Sequence, residues 1–214
     1  MRRRILSVVV LAVSLLGIYT ASAQKAEKLF NGKDLSNWNY VVENDAAPAE
    51  KVFTIQNGVI HIVGKPIGYM YTQEKYGDYK LHVEWRWTNG ESNSGIFLLI
   101  AEPKNPFPMG VECQLQAGNA GDFIALGGSD LKEYQGTPGQ PRPRFPSVKK
   151  TNPSSEKPAG EWNEANIFVK DGTITVYVNG VYQNTGTCNI KEGHIGLQSE
   201  GGDVEFRNVT LTKW

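Results

Sequence analysis

Apolar and polar residues alternate with a period of two over most of this chain, and that alternation predicts strands. Along Lys80–Thr88, Leu81, Val83 and Trp85 fall on one face, and His82, Glu84 and Arg86 on the other. Along Val111–Gln116, Val111, Cys113 and Leu115 oppose Glu112, Gln114 and Gln116. Along His194–Glu200, Ile195 and Leu197 point one way, and Gln198 and Glu200 the other. Ser94–Ile100 and Val204–Leu211 are further runs of the same kind, and the last is expected to pair near the N-terminal strand. Asn57-Gly58, Asp171-Gly172 and Asn179-Gly180 each separate two such runs and predict hairpins with two-residue turns. No window of a dozen residues carries a 3.6-residue apolar repeat with caps. About ten to twelve short strands without helices predict an all-β domain of two packed antiparallel sheets, a jelly-roll sandwich, because a lone sheet cannot bury its apolar face.

The N-terminal segment follows a different pattern. Arg2, Arg3 and Arg4 precede an apolar run from Ile5 to Ile18, and Ala21-Ser22-Ala23 offers a small-x-small cleavage site before Gln24. The run is shorter than the roughly 20 residues of a membrane span. Residues 1–23 are therefore expected to be a signal peptide and 24–214 a single mature domain, periplasmic or secreted, with no stable membrane insertion. The whole chain has 22 basic and 22 acidic residues. Loss of the three arginines leaves a slightly acidic domain with no electrostatic footprint for nucleic acid. Cys113 and Cys188 are the only cysteines, and the sequence leaves a bridge and two free thiols equally open.

Two segments interrupt the strands. Ala117–Glu161 is rich in Gly and Pro, and a loop of that length is expected to be functional or simply solvated. Ala101–Met109, with three prolines, is a second rim. If the alternating strands share one sheet, then Glu84, Arg86, Glu112, Gln114, Gln198 and Glu200 converge on one polar face. Carboxylates and amides suit vicinal hydroxyls, and a guanidinium forks onto adjacent oxygens, so such a face would bind sugar. The competing reading is that alternation places polar residues outside on any half-exposed strand. Trp162, beside Asn163, and the pair Tyr69 and Tyr71 offer rings for stacking on a pyranose. His82 shares the Glu84 face. No Gly-x-Ser-x-Gly elbow, phosphate loop or His-Glu-x-x-His motif is present. No cofactor is expected; a divalent metal held by Glu112, Glu200 and a water is left open.

Several phrases, in order, resemble a known family. They are Leu29–Trp38, Tyr76–Arg86, Asn93–Phe97, Gly110–Gln114, Gly160–Asn163, Val178–Gly180, Gly193–Gly201 and Phe206–Val209. Together they resemble the 3-keto-disaccharide hydrolases, formerly a domain of unknown function, whose fold is a concanavalin A-like (laminin G-like) sandwich. The resemblance implies cleavage of glycosides oxidised at C3, where the carbonyl acidifies the C2 proton and the C1 substituent leaves by elimination before water adds. It implies Glu112 or Glu200 as base and Arg86 as partner of the enolate oxygen. Glu84, Gln114, Gln198, Trp162, Asn163 and His82 would bind the substrate. Many relatives carry His where this chain has Glu200. The competing functions are a lectin-like sugar-binding module on the same sandwich and a cell-envelope interaction protein.

Overall fold

The computed structural model describes residues 25–214, so the leader assigned to residues 1–23 lies outside the described residues. Fifteen strands follow in chain order. They are β1 (Glu27–Lys28), β2 (Trp38–Val42), β3 (Phe53–Gln56), β4 (Val59–Ile62) and β5 (Gly68–Thr72). Then come β6 (Tyr79–Trp87), β7 (Gly95–Glu102), β8 (Met109–Gln114), β9 (Phe123–Leu126) and β10 (Ser147–Val148). The last five are β11 (Asn163–Lys170), β12 (Thr173–Val178), β13 (Val181–Thr187), β14 (His194–Ser199) and β15 (Val204–Lys213).

Two antiparallel sheets form a sandwich. Sheet I has the order β13-β12-β11-β6-β15-β4-β3, with β1 also on β15; sheet II has the order β10-β9-β8-β7-β14-β5-β2. The expected pairing of the last strand with the first is present, Glu27 opposite Leu211 and Lys28 opposite Thr210. The predicted hairpin turns carry positive φ at both central residues, as at Asn179 (48°) and Gly180 (77°), which is what their two-residue geometry requires.

The structure departs from the sequence reading in two places. A short helix, α1 (Ala49–Val52), and one 3-10 turn interrupt the β pattern. Within the stretch read as one long loop, β9 and β10 extend sheet II. Four and two residues are too few to display a period. Cys113 and Cys188 are both free and buried.

Leu81, Val83, Trp85 and Trp87 of β6 pack inward with Ile96, Leu98, Val111, Cys113 and Leu197 from sheet II. Each such side chain contributes roughly 1.5–3 kcal/mol on burial. At Leu99 (φ 54°) a bulge changes the parity of β7, so that Leu98 and Leu99 both face the core and Ile100 faces out.

Candidate active site

The nine residues selected from the sequence do not converge. Alternation states which side of its own strand a residue takes, and it is silent on which sheet the strand joins. β6 belongs to sheet I, whereas β8 and β14 belong to sheet II. Outward from β6 and outward from β8 are therefore opposite directions, with the core between them.

On the outer face of sheet I, the ions neutralise one another. The Glu84 carboxylate accepts from Arg207 Nε and Asn208 Nδ2, both at 2.6 Å. His82 Nε2 lies 3.5 Å from the same carboxylate, and its Nδ1 is 3.1 Å from Asn166 Oδ1. Burial pushes the Glu84 pKa up, but the bonds from Asn208 and Arg207 outweigh it and hold the group below its ordinary value. Arg86 Nε donates to Glu205 at 2.6 Å. Trp162 stacks on both guanidiniums, 4.0 Å from Arg207 and 4.6 Å from Arg86. Arg86 is thus consumed in a surface ion pair and cannot face an enolate held by Glu112 and Glu200; the assignment from sequence is corrected on this point. Glu84, His82 and Trp162 lie on that same wrong side for the Glu112 pocket. Asn163 sits opposite Trp85 and turns inward, where its Oδ1 accepts from Lys157 N and Asn179 Nδ2, both at 2.8 Å. It anchors the end of the long loop.

The outer face of sheet II is built differently. Register sets Phe97 opposite Glu112, Gly95 opposite Gln114, and Gln198 opposite Tyr69. Glu200 follows directly on β14, and its Oε2 accepts from Asn93 Nδ2 and Gln198 Nε2, both at 2.9 Å. Glu112 is only 4% exposed, and its Oε1 has no hydrogen-bond partner. The carboxyl lies over the backbone of Gly95, where any Cβ would collide with Oε1. Burial first, and the charge of Glu200 second, push the Glu112 pKa up to about 8. Burial also raises that of Glu200, against the lowering bond from Gln198. Gln114 spends its Oε1 on the backbone N–H groups of Leu115 and Gln116, leaving Nε2 for the pocket.

These groups border a cavity of about 180 Å³, whose wall includes Asn93, Phe107, Phe145 and the two carboxyls. Phe107 and Phe145 come from the two predicted rim loops and meet at 5.0 Å. Tyr69, Phe97, Ile100 and Leu126 form a second apolar cluster on this face, separate from the core. Buried polar atoms normally have partners. Among the described residues eight lack one, and four of these, on Tyr69, Asn93, Glu112 and Gln198, belong to this face. Asn93, Phe107 and Phe145 were missed as site residues because loops carry no period; the phrase Asn93-Ser94-Gly95 and the rim loops were their only signals. Among the described residues no group of three or more metal-ligating side chains is gathered.

The two-sheet sandwich carries paired carboxyls under an aromatic rim on one outer face. The model of the 3-keto-alpha-glucoside-1,2-lyase-like domain matches residues 25–212, and the chain belongs to that family. A 3-keto-disaccharide hydrolase of Bacteroides thetaiotaomicron is 26% identical over 236 residues, covering 86% of this chain and 76% of its own. A Parabacteroides distasonis protein provisionally assigned as a glycosyl hydrolase superposes with a TM-score of 0.64 at 21% identity, over 89% of this chain and all (100%) of the other. The β-glucanase of Bacillus licheniformis gives 0.57 at 13% identity, over 91% and 99% of the two chains. The two structural likenesses establish the sandwich; the family gives the chain a function of the glycoside-hydrolase kind.

Proposed function

We propose that the sheet II pocket cleaves 3-keto-glycosides by elimination across C1–C2, followed by addition of water. The observation that carries this reading is the unequal treatment of two neighbouring carboxyls. Glu200 receives two N–H donors, which favour its charged form, whereas Glu112 Oε1 receives none and is buried against apolar rings. In a closed pocket such a pair keeps one proton between them, and it resides on Glu112.

Ionised Glu200 then takes the C2 proton of the sugar. The C–H electron pair moves into the C3 carbonyl, and the enolate oxygen is stabilised by the hydrogen bond that protonated Glu112 donates. Return of the electrons to C3=O closes a C1=C2 double bond and expels the C1 oxygen, which takes the proton carried by Glu200. Water adds at C1 and a proton returns to C2, so the balance is hydrolysis. Glu112 thereby takes the role that the sequence reading gave to Arg86. An ordinary glycosidase places its two carboxyls on either side of the scissile bond; here both rise from one sheet face.

The test is release of free sugar from a synthetic 3-keto-glucoside beside the unoxidised glucoside, with and without chelator. Cleavage of the keto substrate alone is expected. No cleavage of either, with sugar binding retained in calorimetry, would replace the enzyme by a sugar-binding module. Export through the leader at residues 1–23 is part of the same proposal, and N-terminal sequencing of the mature protein, expected to begin at Gln24, checks it.

A further inference from the structure

The outer face of sheet I carries a recess that takes no part in the carboxyl pocket. Register lines up Tyr182, Tyr177 and Asn166 across β13, β12 and β11, with Phe168 beside Thr175 in the next row. Phe168 and Tyr177 meet edge to face at 5.9 Å and 80°, and Tyr177 and Tyr182 at 5.7 Å and 69°. Phe168, Tyr177, Asn166 and Thr175 border a cavity of about 430 Å³. A second cavity, of about 400 Å³, lies beside Trp162, Glu164 and Asn179. Glu164 and Asn166 are successive outward positions of β11, so the two recesses follow one another along that strand. From Trp162 to Phe168 the distance is about 20 Å at roughly 3.4 Å per residue.

Three properties select the occupant. Phe168 and Tyr177 are half-buried and form the walls of a hollow, whereas a protein partner of standard size needs a broad, fitted patch. Glu84 is matched with Arg207 and Arg86 with Glu205, while the half-buried Glu164 is left without an ion pair among the described residues and Lys80 stands over the Phe168 ring, so the face carries charges of both signs and no block of one sign for a polyanion or a charged peptide. Rings and polar groups alternate along and across β11: Trp162, which Arg86 and Arg207 already stack on, then Glu164, then Asn166 beside Tyr177, then Phe168 beside Thr175. That alternation matches a molecule made of uncharged rings with apolar faces and a hydroxylated rim.

We propose that this face is a second, non-catalytic carbohydrate surface, which holds an uncharged oligosaccharide along β11 between Trp162 and Phe168. It does not depend on the chemistry assigned to Glu112 and Glu200. Cellohexaose and maltohexaose, added separately to the isotopically labelled protein, are the probes, followed through the Trp162 indole and the β11–β12 amide resonances. At least one hexaose shifts these signals, Tyr177→Ala weakens that binding by about tenfold, and Glu112→Gln leaves it unchanged. Tyr177→Phe, which retains the ring, weakens it less and guards against misfolding of the alanine variant. Turnover of a soluble keto-glucoside is the same in both Tyr177 variants as in the parent. The proposal is overturned if neither hexaose moves these signals, or if Tyr177→Ala binds as the parent does. It is equally overturned if sedimentation shows self-association through this face that Tyr177→Ala abolishes.

Discussion

Glu84 on sheet I has Arg207 and Asn208 at 2.6 Å and His82 at 3.5 Å, and its pKa is lowered. Glu112 on sheet II is more deeply buried, has an oxygen with no partner, and its pKa is pushed up to about 8. Both are outward-facing glutamates on central strands, with aromatic rings nearby. The difference lies in what surrounds them: guanidiniums and an amide in one case, a glycine backbone, phenylalanines and a second carboxylate in the other. Partnered ions hold a surface together and leave nothing over for a substrate. An acid left without donors is costly to the fold, and a pocket is where that cost has a use.

The largest expected effect that tests this contrast is on the base. Glu200→Gln lowers turnover of a 3-keto-glucoside by about 10²–10⁴-fold with an unchanged circular dichroism spectrum, the range general-base catalysis supplies. Glu112→Gln is milder, because its amide N–H still donates to the enolate, and Glu112→Leu falls further; equal losses in the two variants would remove the donor role. Next is Gly95→Ala, which drives the Glu112 carboxyl from its seat. It should cost about 1–3 kcal/mol in chemical denaturation and lower turnover as well. Arg207→Ala, on the other face, should cost roughly 1–2 kcal/mol by stranding Glu84, and leave turnover of soluble substrate near the parent value. A large loss of turnover in that variant would erase the distinction between the faces.

The contrast also reaches the pH dependence of stability. Glu112 has a folded pKa of about 8, raised above its ordinary value of 4.5. The folded state therefore binds the proton more tightly than the unfolded chain. Stability from this group is complete below about pH 4.5 and is lost as pH rises through about 8. Glu112→Gln should flatten that slope in thermal melts between these limits, and Glu84→Gln should not.

Much of this was legible in the sequence because sheets have a period of two. The inward set of β6, the three hairpin turns and the outward placement of Glu112, Gln114, Gln198 and Glu200 all follow from alternation and turn chemistry. The partition of strands between sheets does not, since β6 and β8 read alike and lie on opposite sides of the core. Arg86 was misplaced for that reason alone. Phe107 and Phe145 sit in segments whose shape is set by tertiary contact, and only the richness in proline marked them.

The sheet orders carry a further consequence. β14 lies between β5 and β7, and β15 lies between β6 and β4. The strands spanning residues 194–213 are thus interior members of both sheets, although they are the last strands of the sandwich in chain order. Until they leave the ribosome, β4, β5, β6 and β7 each present an unpaired edge, and contacts distant in sequence must form late and together. Neither sheet can be completed before residues 194–213 have emerged. On the export proposed above, this delay would keep the chain open for its passage across a membrane.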